Sequence, residues 1–402
     1  MKERTRVLVS IAHYLPGLKF GGPISTIANL VEHLGDEFDF HILTSDHDYR
    51  QGTPYPGIVR DEWVTVGKSQ VFYSSAKYID PFGIAKTIAK VEYDILYLNS
   101  FFHPEFTIAP LIARRMGLLP HKPCVLAPRG ELALAALAIR GVKKRAYIEL
   151  VRTLKIYSGL RWQASSNFEA EDIGRVMGRD AGEVVIAANL PKTTRAPHFR
   201  SDAPKSGNGL RVVLLARISQ MKNVEFALEV IKNSPIPIEF DIWGTIESQE
   251  YWVRCHNIIA QMPVHVRVNY CGEALRQDVE RTLSEYDIMF MPSLGENYGH
   301  VIAEALAVGT PVLISDRTPW RNLAREGVGW DIALEGGVVP FVEALVEAHR
   351  RKQVDGIGWR CVVLDYANRT LVDPSVVSAN RVLFSDDTFE NCSTRGNRIS
   401  SP

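Results

Sequence analysis

Short apolar runs alternate with helical patterns along most of this chain. Residues 7–12, 40–43, 71–73, 95–98, 124–127, 162–165 and 184–187 read as buried strands. Helical patterns fall at 25–34, 81–91, 105–116 and 167–176, the first stopped by Gly35. A second series has strands at 211–216, 238–243, 266–271, 288–291 and 312–314, with helices between them. Such alternation predicts α/β architecture with ligands at the carboxyl ends of the strands.

The pattern breaks in a few places. Residues 46–70 read as an irregular excursion. Residues 132–158 read as one long helical stretch, both basic and apolar. Residues 191–209, PKTTRAPHFRSDAPKSGNG, have a linker's composition. Residues 354–364 give no clear pattern, and 374–384 predict a last helix. The expected organisation is a first domain over 1–190, a linker over 191–209 and a second domain over 210–372. A C-terminal helix over 373–385 is expected to pack back on the first domain, and the polar tail 386–402 is expected to be disordered.

Composition narrows the partners. The chain has 402 residues, enough for two domains, and its 46 basic and 46 acidic residues cancel, which argues against a nucleic-acid partner. The five cysteines show no CxxC spacing and read as reduced thiols of a cytosolic protein. No apolar run approaches the ~18 residues of a membrane span, so no transmembrane helix is expected. The stretch 132–158 has two readings: a face drawn to an anionic membrane surface, or a helix with one core face and one solvated charged face.

Candidate chemistry concentrates at 292–315, PSLGENYGHVIAEALAVGTPVLIS. Here a strand, a loop, a helix and a strand follow in order. Glu296 lies in the loop and Glu304 about one turn into the helix. Gly299 lets a ligand approach the backbone, and the helix start suits a phosphate. Taken alone, the two glutamates read more plainly as a helix cap, Glu296, and a solvated helical side chain, Glu304. Arg217 and Lys222 flank another strand-to-helix turn and could clamp a diphosphate, or be surface charge. In the first half, Gly21–Gly22 forms either a ligand loop or a tight turn. His103 and Arg129 follow strand ends; a loop histidine and a structural salt bridge are the plainer readings.

The segments ARISQMKN and CGEALRQDVERTLSEYDIMFMPSLGENYGHVIAEALAVGTPVLISD resemble the nucleotide-binding half of glycosyltransferase family 4. Glu296 and Glu304 match that family's E-x7-E motif, Arg217 and Lys222 its phosphate-binding pair, and Gly21–Gly22 its glycine-rich loop. LAPRGEL resembles the SPRG-type segment of polysaccharide-building members. The resemblance implies a GT-B fold, two Rossmann-like domains facing each other across a cleft. It implies a retaining, metal-independent hexosyltransferase that needs no cofactor and takes a UDP- or GDP-sugar as donor. The acceptor would be a glycan or lipid-linked oligosaccharide of surface polysaccharide synthesis, in the cytoplasm, with weak peripheral contact on the inner face of the plasma membrane.

Residue by residue, it implies catalytic roles for Glu296, Arg217 and Lys222. Donor contacts would come from Gly22, Gly244, Gly272, Asn297, Tyr298, Gly299 and Glu304, and acceptor contacts from His103 and Arg129. Two departures stand out: arginine replaces a histidine that many members carry after the 124–127 strand, and Tyr298 replaces a common phenylalanine. The alternative is a non-catalytic GT-B protein that binds a nucleotide sugar or a partner; a GT-B phosphorylase or epimerase is a third reading.

Overall fold

The computed structural model describes residues 4–17, 21–49, 51–80, 82–139, 141–193, 209–371 and 373–385. The chain divides into two compact units, Met1–Thr193 with Pro374–Pro402, and Thr194–Asp373.

The first unit is built on β1 (Arg6–Ser10), β2 (Asp39–Ser45), β3 (Trp63–Val66), β4 (Ser69–Ser74), β5 (Ile95–Asn99), β6 (Cys124–Ala127), β7 (Arg161–Ala164) and β8 (Glu183–Ile186). Their order is β3-β4-β2-β1-β5-β6-β7-β8, parallel except for the β3–β4 edge. The helices are α1 (Gly22–Leu34), α2 (Gly83–Ala89), α3 (Ala109–Arg115), α4 (Leu134–Ala138), α5 (Gly141–Thr153) and α6 (Asn167–Met177). Successive strand residues enter two different cores. Leu8, Leu43, Leu96 and Leu98 belong to one, while Val7, Val9, Ile42, Ile95 and Tyr97 belong to the other. A sheet buried on both faces needs apolar residues at every position, which is why these strands read as unbroken apolar runs.

The second unit holds β9 (Leu210–Leu215), β10 (Ile238–Trp243), β11 (Val266–Gly272), β12 (Ile288–Met291), β13 (Val312–Ser315) and β14 (Gly329–Ile332). Its helices are α7 (Val224–Lys232), α8 (Gln249–Ile259), α9 (Val279–Ser284), α10 (His300–Ala307), α11 (Leu323–Glu326) and α12 (Val338–Leu371). All neighbours are parallel, in the order β11-β10-β9-β12-β13-β14. The chain therefore builds outward from β9 in one direction, then restarts at β12 and builds in the other. The strand order reverses between β9 and β12, and open α/β sheets bind ligands at such a reversal.

The last helix, α13 (Pro374–Val382), belongs to the first unit. Just beyond it, Phe384 is fully buried, with ring centroids 5.6, 5.9 and 5.3 Å from those of Phe38, Phe40 and Tyr97. Asn380 Nδ2 donates to the Ala188 carbonyl at 2.8 Å, and Arg381 forks onto Glu37 at 2.7 Å.

Several elements depart from the sequence reading. The 46–70 excursion contains the edge strand β3, joined to β4 through Gly67 at φ 58°. An edge strand need not be fully apolar, so WVTV gave little signal. The 132–158 stretch is two helices, broken where Ile139 turns extended (φ −70°, ψ 116°) ahead of Gly141. Residues 354–364 are helical. Asp355 leaves the helical region (φ −159°, ψ 73°) and its carboxylate caps the Gly358 N–H at 2.8 Å, so α12 is two helices meeting at a kink. Gly356 and Gly358 had diluted the periodicity. Strand β14, GWDI, is too short and mixed to read from sequence. Linker residues 194–208 and the tail from 386 onward lie outside the described residues. Among the described residues, no helix is long and apolar enough to cross a membrane.

Replacing Phe384 with alanine should cost the first unit about 3–5 kcal/mol, because three packed rings lose a common partner. Chemical denaturation should show a lower midpoint for that unit, and limited proteolysis should show earlier cleavage within α13.

Candidate functional site

β9 and β12 are neighbours, so the loops that follow them lie side by side. After β9 the chain passes Arg217, makes a tight turn at Gln220–Lys222, takes a left-handed step at Asn223 (φ 55°) and enters α7. After β12 it runs through 292–298 and takes a left-handed step at Gly299 (φ 78°) into α10. Backbone and side-chain bonds stitch the loops together. Leu294 N donates to the Met221 carbonyl at 2.8 Å, and Asn223 Nδ2 to the Pro292 carbonyl at 3.1 Å.

Across this seam Lys222 Nζ meets Glu296 Oε1. The side chains are only 16% and 11% exposed, so solvent screens their attraction little. Ser293 Oγ donates to the same carboxylate oxygen at 2.9 Å, and the Glu296 N–H is held by the Arg317 carbonyl at 2.9 Å. Glu296 is thus an acceptor with a fixed position and orientation. Neighbouring Tyr298 has its phenol pushed well up by burial, with the Glu304 carboxylate adding to the effect, so it stays a proton donor. Its carbonyl accepts from Trp320 Nε1 at 2.6 Å, which pins the approach to α10. At Gly299 a Cβ would stand 2.7 Å from Ile302 Cδ1, on a backbone that disfavours any side chain.

Arg217 is placed differently. Its guanidinium is 39% exposed and lies 3.6 Å from Glu247 on the β10 side, not on Glu296. Gly244 (φ 144°) sits where a Cβ would be 1.8 Å from the Ala216 carbonyl oxygen, and its N–H bonds the Gly272 carbonyl at 2.7 Å. Close backbone approach therefore accounts for Gly244 without a ligand. Gly272 (φ 80°) has open space around it and is required by conformation alone. The unit thus joins Lys222 directly to Glu296, with Asn297, Tyr298, Gly299 and Glu304 on the same loop and helix. Arg217, Gly244 and Gly272 lie along the adjoining strand ends.

Gly22, His103 and Arg129 belong to the first unit. Gly22 opens α1 after Gly21 (φ 76°), and its carbonyl accepts the Thr26 hydroxyl at 3.0 Å. Residues 18–20 of that loop lie outside the described residues. Arg129 forms hydrogen bonds with neutral partners in place of the expected salt bridge: Asn99 Oδ1 at 2.6 and 3.1 Å, Asn189 Oδ1 at 3.0 Å and the Tyr97 hydroxyl. It holds φ 57°, a conformation uncommon for a side-chain-bearing residue. Glu131 ties this loop to the one bearing His103. It accepts from the Phe101 and Phe102 N–H groups at 2.5 and 3.0 Å and from Ser100 Oγ, while burial pushes its carboxyl up. His103 N donates to Ser100 Oγ at 3.1 Å, completing the link.

Sequence reasoning missed Glu131, Asn99, Asn189, His13 and His47. They come from separate strand ends and share no spacing. His13 and His47 rings lie 5.9 Å apart, with His13 Nδ1 2.9 Å from both the His47 carbonyl and Ser45 Oγ.

Residues 197–348 match the family described as glycosyl transferases group 1. The chain is 30% identical over 138 residues to the amylovoran biosynthesis glycosyltransferase AmsK of Erwinia amylovora, covering 32% of this chain and 33% of that protein. It is 24% identical over 175 residues to a phosphatidyl-myo-inositol mannosyltransferase of Mycobacterium leprae, covering 42% and 44%. Each match therefore spans less than half of the relative. Among solved structures, Anabaena Alr3699/HepE in complex with UDP-glucose superposes with a TM-score of 0.69 at 16% identity, over 96% of this chain and all of that one. Likeness at that identity speaks for the fold, which is GT-B.

Burial pushes the His103 imidazole down to about 4, with His13 nearby adding to the effect. Glu105 lies 3.3 Å from Nδ1, but that nitrogen also accepts from the Phe106 N–H, as a neutral ring does. Below pH ~6.5 the unfolded chain takes up a proton at this residue, whereas the folded chain does so only near pH 4. Stability therefore falls as pH drops through that window. His103→Gln should flatten the loss between pH 6.5 and 4, read as thermal midpoint against pH for both proteins.

Proposed function

We propose, for a chain of GT-B fold whose residues 197–348 belong to the group 1 glycosyl transferases, that it moves a hexosyl group from a UDP- or GDP-sugar to a glycan or lipid-linked acceptor. The observation that carries this reading is the Lys222–Glu296 seam where the order of the second sheet reverses. A base and an acid held rigid beside the start of α10 match the parts of a sugar diphosphate: hydroxyls for the carboxylate, phosphate for the cation and the helix amides.

In this reading Glu296 orients the donor sugar through its hydroxyls and Glu304 grips the ribose. Lys222 and Arg217 take up the negative charge that grows on the departing diphosphate, so no metal ion is required. Stabilising charge that develops only in the transition state raises turnover rather than binding alone. The configuration at the anomeric carbon is retained, with the acceptor attacking from the face the diphosphate leaves and the leaving phosphate taking the acceptor's proton. His103 and Arg129 would serve the acceptor side. The protein would work in the cytoplasm on surface polysaccharide, touching the membrane at most peripherally. UDP is the first nucleotide to test, because the Anabaena protein of similar fold was solved with UDP-glucose.

Glu296→Ala and Arg217→Ala should each lower transfer from the preferred sugar nucleotide about 10²–10³-fold. Lys222→Ala should do the same and also lower the unfolding midpoint, since it strands a shielded carboxylate. Radiolabel transfer across a panel of UDP- and GDP-sugars measures the first effect, and thermal unfolding the second. Full turnover in the Glu296 and Lys222 variants would remove the assignment. Calorimetric UDP binding with no turnover on any acceptor would favour a non-catalytic binding protein.

A further inference from the structure

Two cations of the second unit, Lys222 and Arg217, are held in opposite ways. Lys222 is hydrogen-bonded to Glu296, with both side chains largely shielded from water. Arg217 is 39% exposed, and its carboxylate neighbour among the described residues is Glu247, whose Oε2 stands 3.6 Å from Nη1. That separation lies beyond hydrogen-bond reach, so charge alone joins the pair. Elsewhere in the chain an arginine fixed by an acid takes it as a fork. Arg381 meets Glu37 at 2.7 Å through two nitrogens, and Arg350 meets Glu347 at 2.7 and 2.8 Å. Arg217 and Glu247 make no such fork. Lys222 is therefore the fixed cation and Arg217 the movable one.

Glu247 stands on a firmer footing. The segments after β9 and β10 continue side by side past the strand ends, with a further bridge between Ile218 and Ile246. Ile218 N donates to the Thr245 carbonyl at 2.9 Å, and Glu247 N to the Ile218 carbonyl at 3.1 Å. Ile218 is fully buried, and the close approach of Gly244 to the Ala216 carbonyl locks the two segments together. The next residue, Ser248, caps α8, its Oγ accepting from the Tyr251 N–H at 3.3 Å. Glu247 thus lies beside the amino end of a helix, where negative charge is favoured. A fixed anion beside a loosely held cation makes a resting place: the anion stays and the cation can leave.

We propose that Glu247 is a competing counter-ion, which holds Arg217 in the resting protein and gives it up to the diphosphate of the donor. The inference rests on the proposed function and adds a positioning residue to it. As the bond from the anomeric carbon to the diphosphate oxygen breaks, its electron pair stays on that oxygen, and the acceptor oxygen takes its place on the carbon. Negative charge on the diphosphate rises, and the contest for Arg217 tips away from Glu247. A guanidinium claimed by Glu247 in the ground state is released as that charge grows, so its attraction acts on the transition state more than on binding of the intact donor. When the nucleoside diphosphate departs, Glu247 takes the guanidinium back, which favours release.

Calorimetric titration of the full chain with UDP tests this, alongside product inhibition of transfer; GDP replaces UDP where the parent binds it more tightly. Glu247→Gln keeps the side-chain shape and removes the charge. It should tighten nucleotide binding about three- to fivefold, the range that a partly exposed pair supports, and lower the inhibition constant by the same factor with no gain in kcat. In the Arg217→Ala background the same substitution should leave nucleotide affinity unchanged. Equal tightening in that background would reduce Glu247 to simple repulsion and overturn the counter-ion role. Weaker binding by Glu247→Gln would make the carboxylate a group that aims Arg217, and unchanged binding with a lower thermal midpoint would make it a structural acid; either result overturns the role. A parent that binds neither UDP nor GDP would remove the proposed function and this inference with it, whereas nucleotide binding untouched by Glu247→Gln removes the counter-ion alone.

Discussion

Two opposite charges, largely shielded from water, hold the second unit's crevice in shape. Lys222 and Glu296 are far apart in sequence and reside on loops from different strands. Their attraction works at short range in a poorly screened setting, where removing one partner costs about 3–5 kcal/mol. Everything near the crevice leans on that contact. The left-handed step at Asn223 aims Lys222, Ser293 supplies a second donor to the carboxylate, and the Arg317 carbonyl fixes its backbone. A flexible acid and a flexible base would have to be ordered by a substrate, at an entropic cost. Here the fold has already ordered them.

The first unit solves a similar problem with different means. Its guanidinium, Arg129, is held by amides and a phenol, and its buried carboxylate, Glu131, by backbone N–H groups. Neither charge neutralises the other. The position of Arg129 is fixed by Asn99 and Asn189. This arrangement also explains why arginine follows β6: a planar fork reaches β5 and the segment after β8 at once, which a smaller ring does not.

What was readable in the sequence follows from what each element needs. Strands buried on both faces demand apolar runs, and every such run was legible. Edge strands β3 and β14 do not demand them and were missed. The loop after β12 was legible because its carboxylates, glycine and helix are contiguous within 292–315. The Lys222–Glu296 contact could be guessed only as a shared neighbourhood, since pairing across a sheet seam has no signature in spacing. Gly244 was read as a ligand contact, and the crowded Ala216 carbonyl supplies a different reason for it. The network of Asn99, Arg129, Glu131 and Asn189 was invisible for the same reason as the seam: its members meet only after the strands are laid side by side.

The return of α13 to the first unit makes the second unit an insertion within the first. A ribosome therefore emits all eight strands of the first sheet, then the second unit, and only after that the phenylalanine that closes the Phe38–Phe40–Tyr97 cluster. Nascent chains would carry an aromatic gap on an otherwise formed sheet until Phe384 has been made. Shielding of that gap, by a chaperone or by a slow ribosome, becomes part of what this topology asks of its cell.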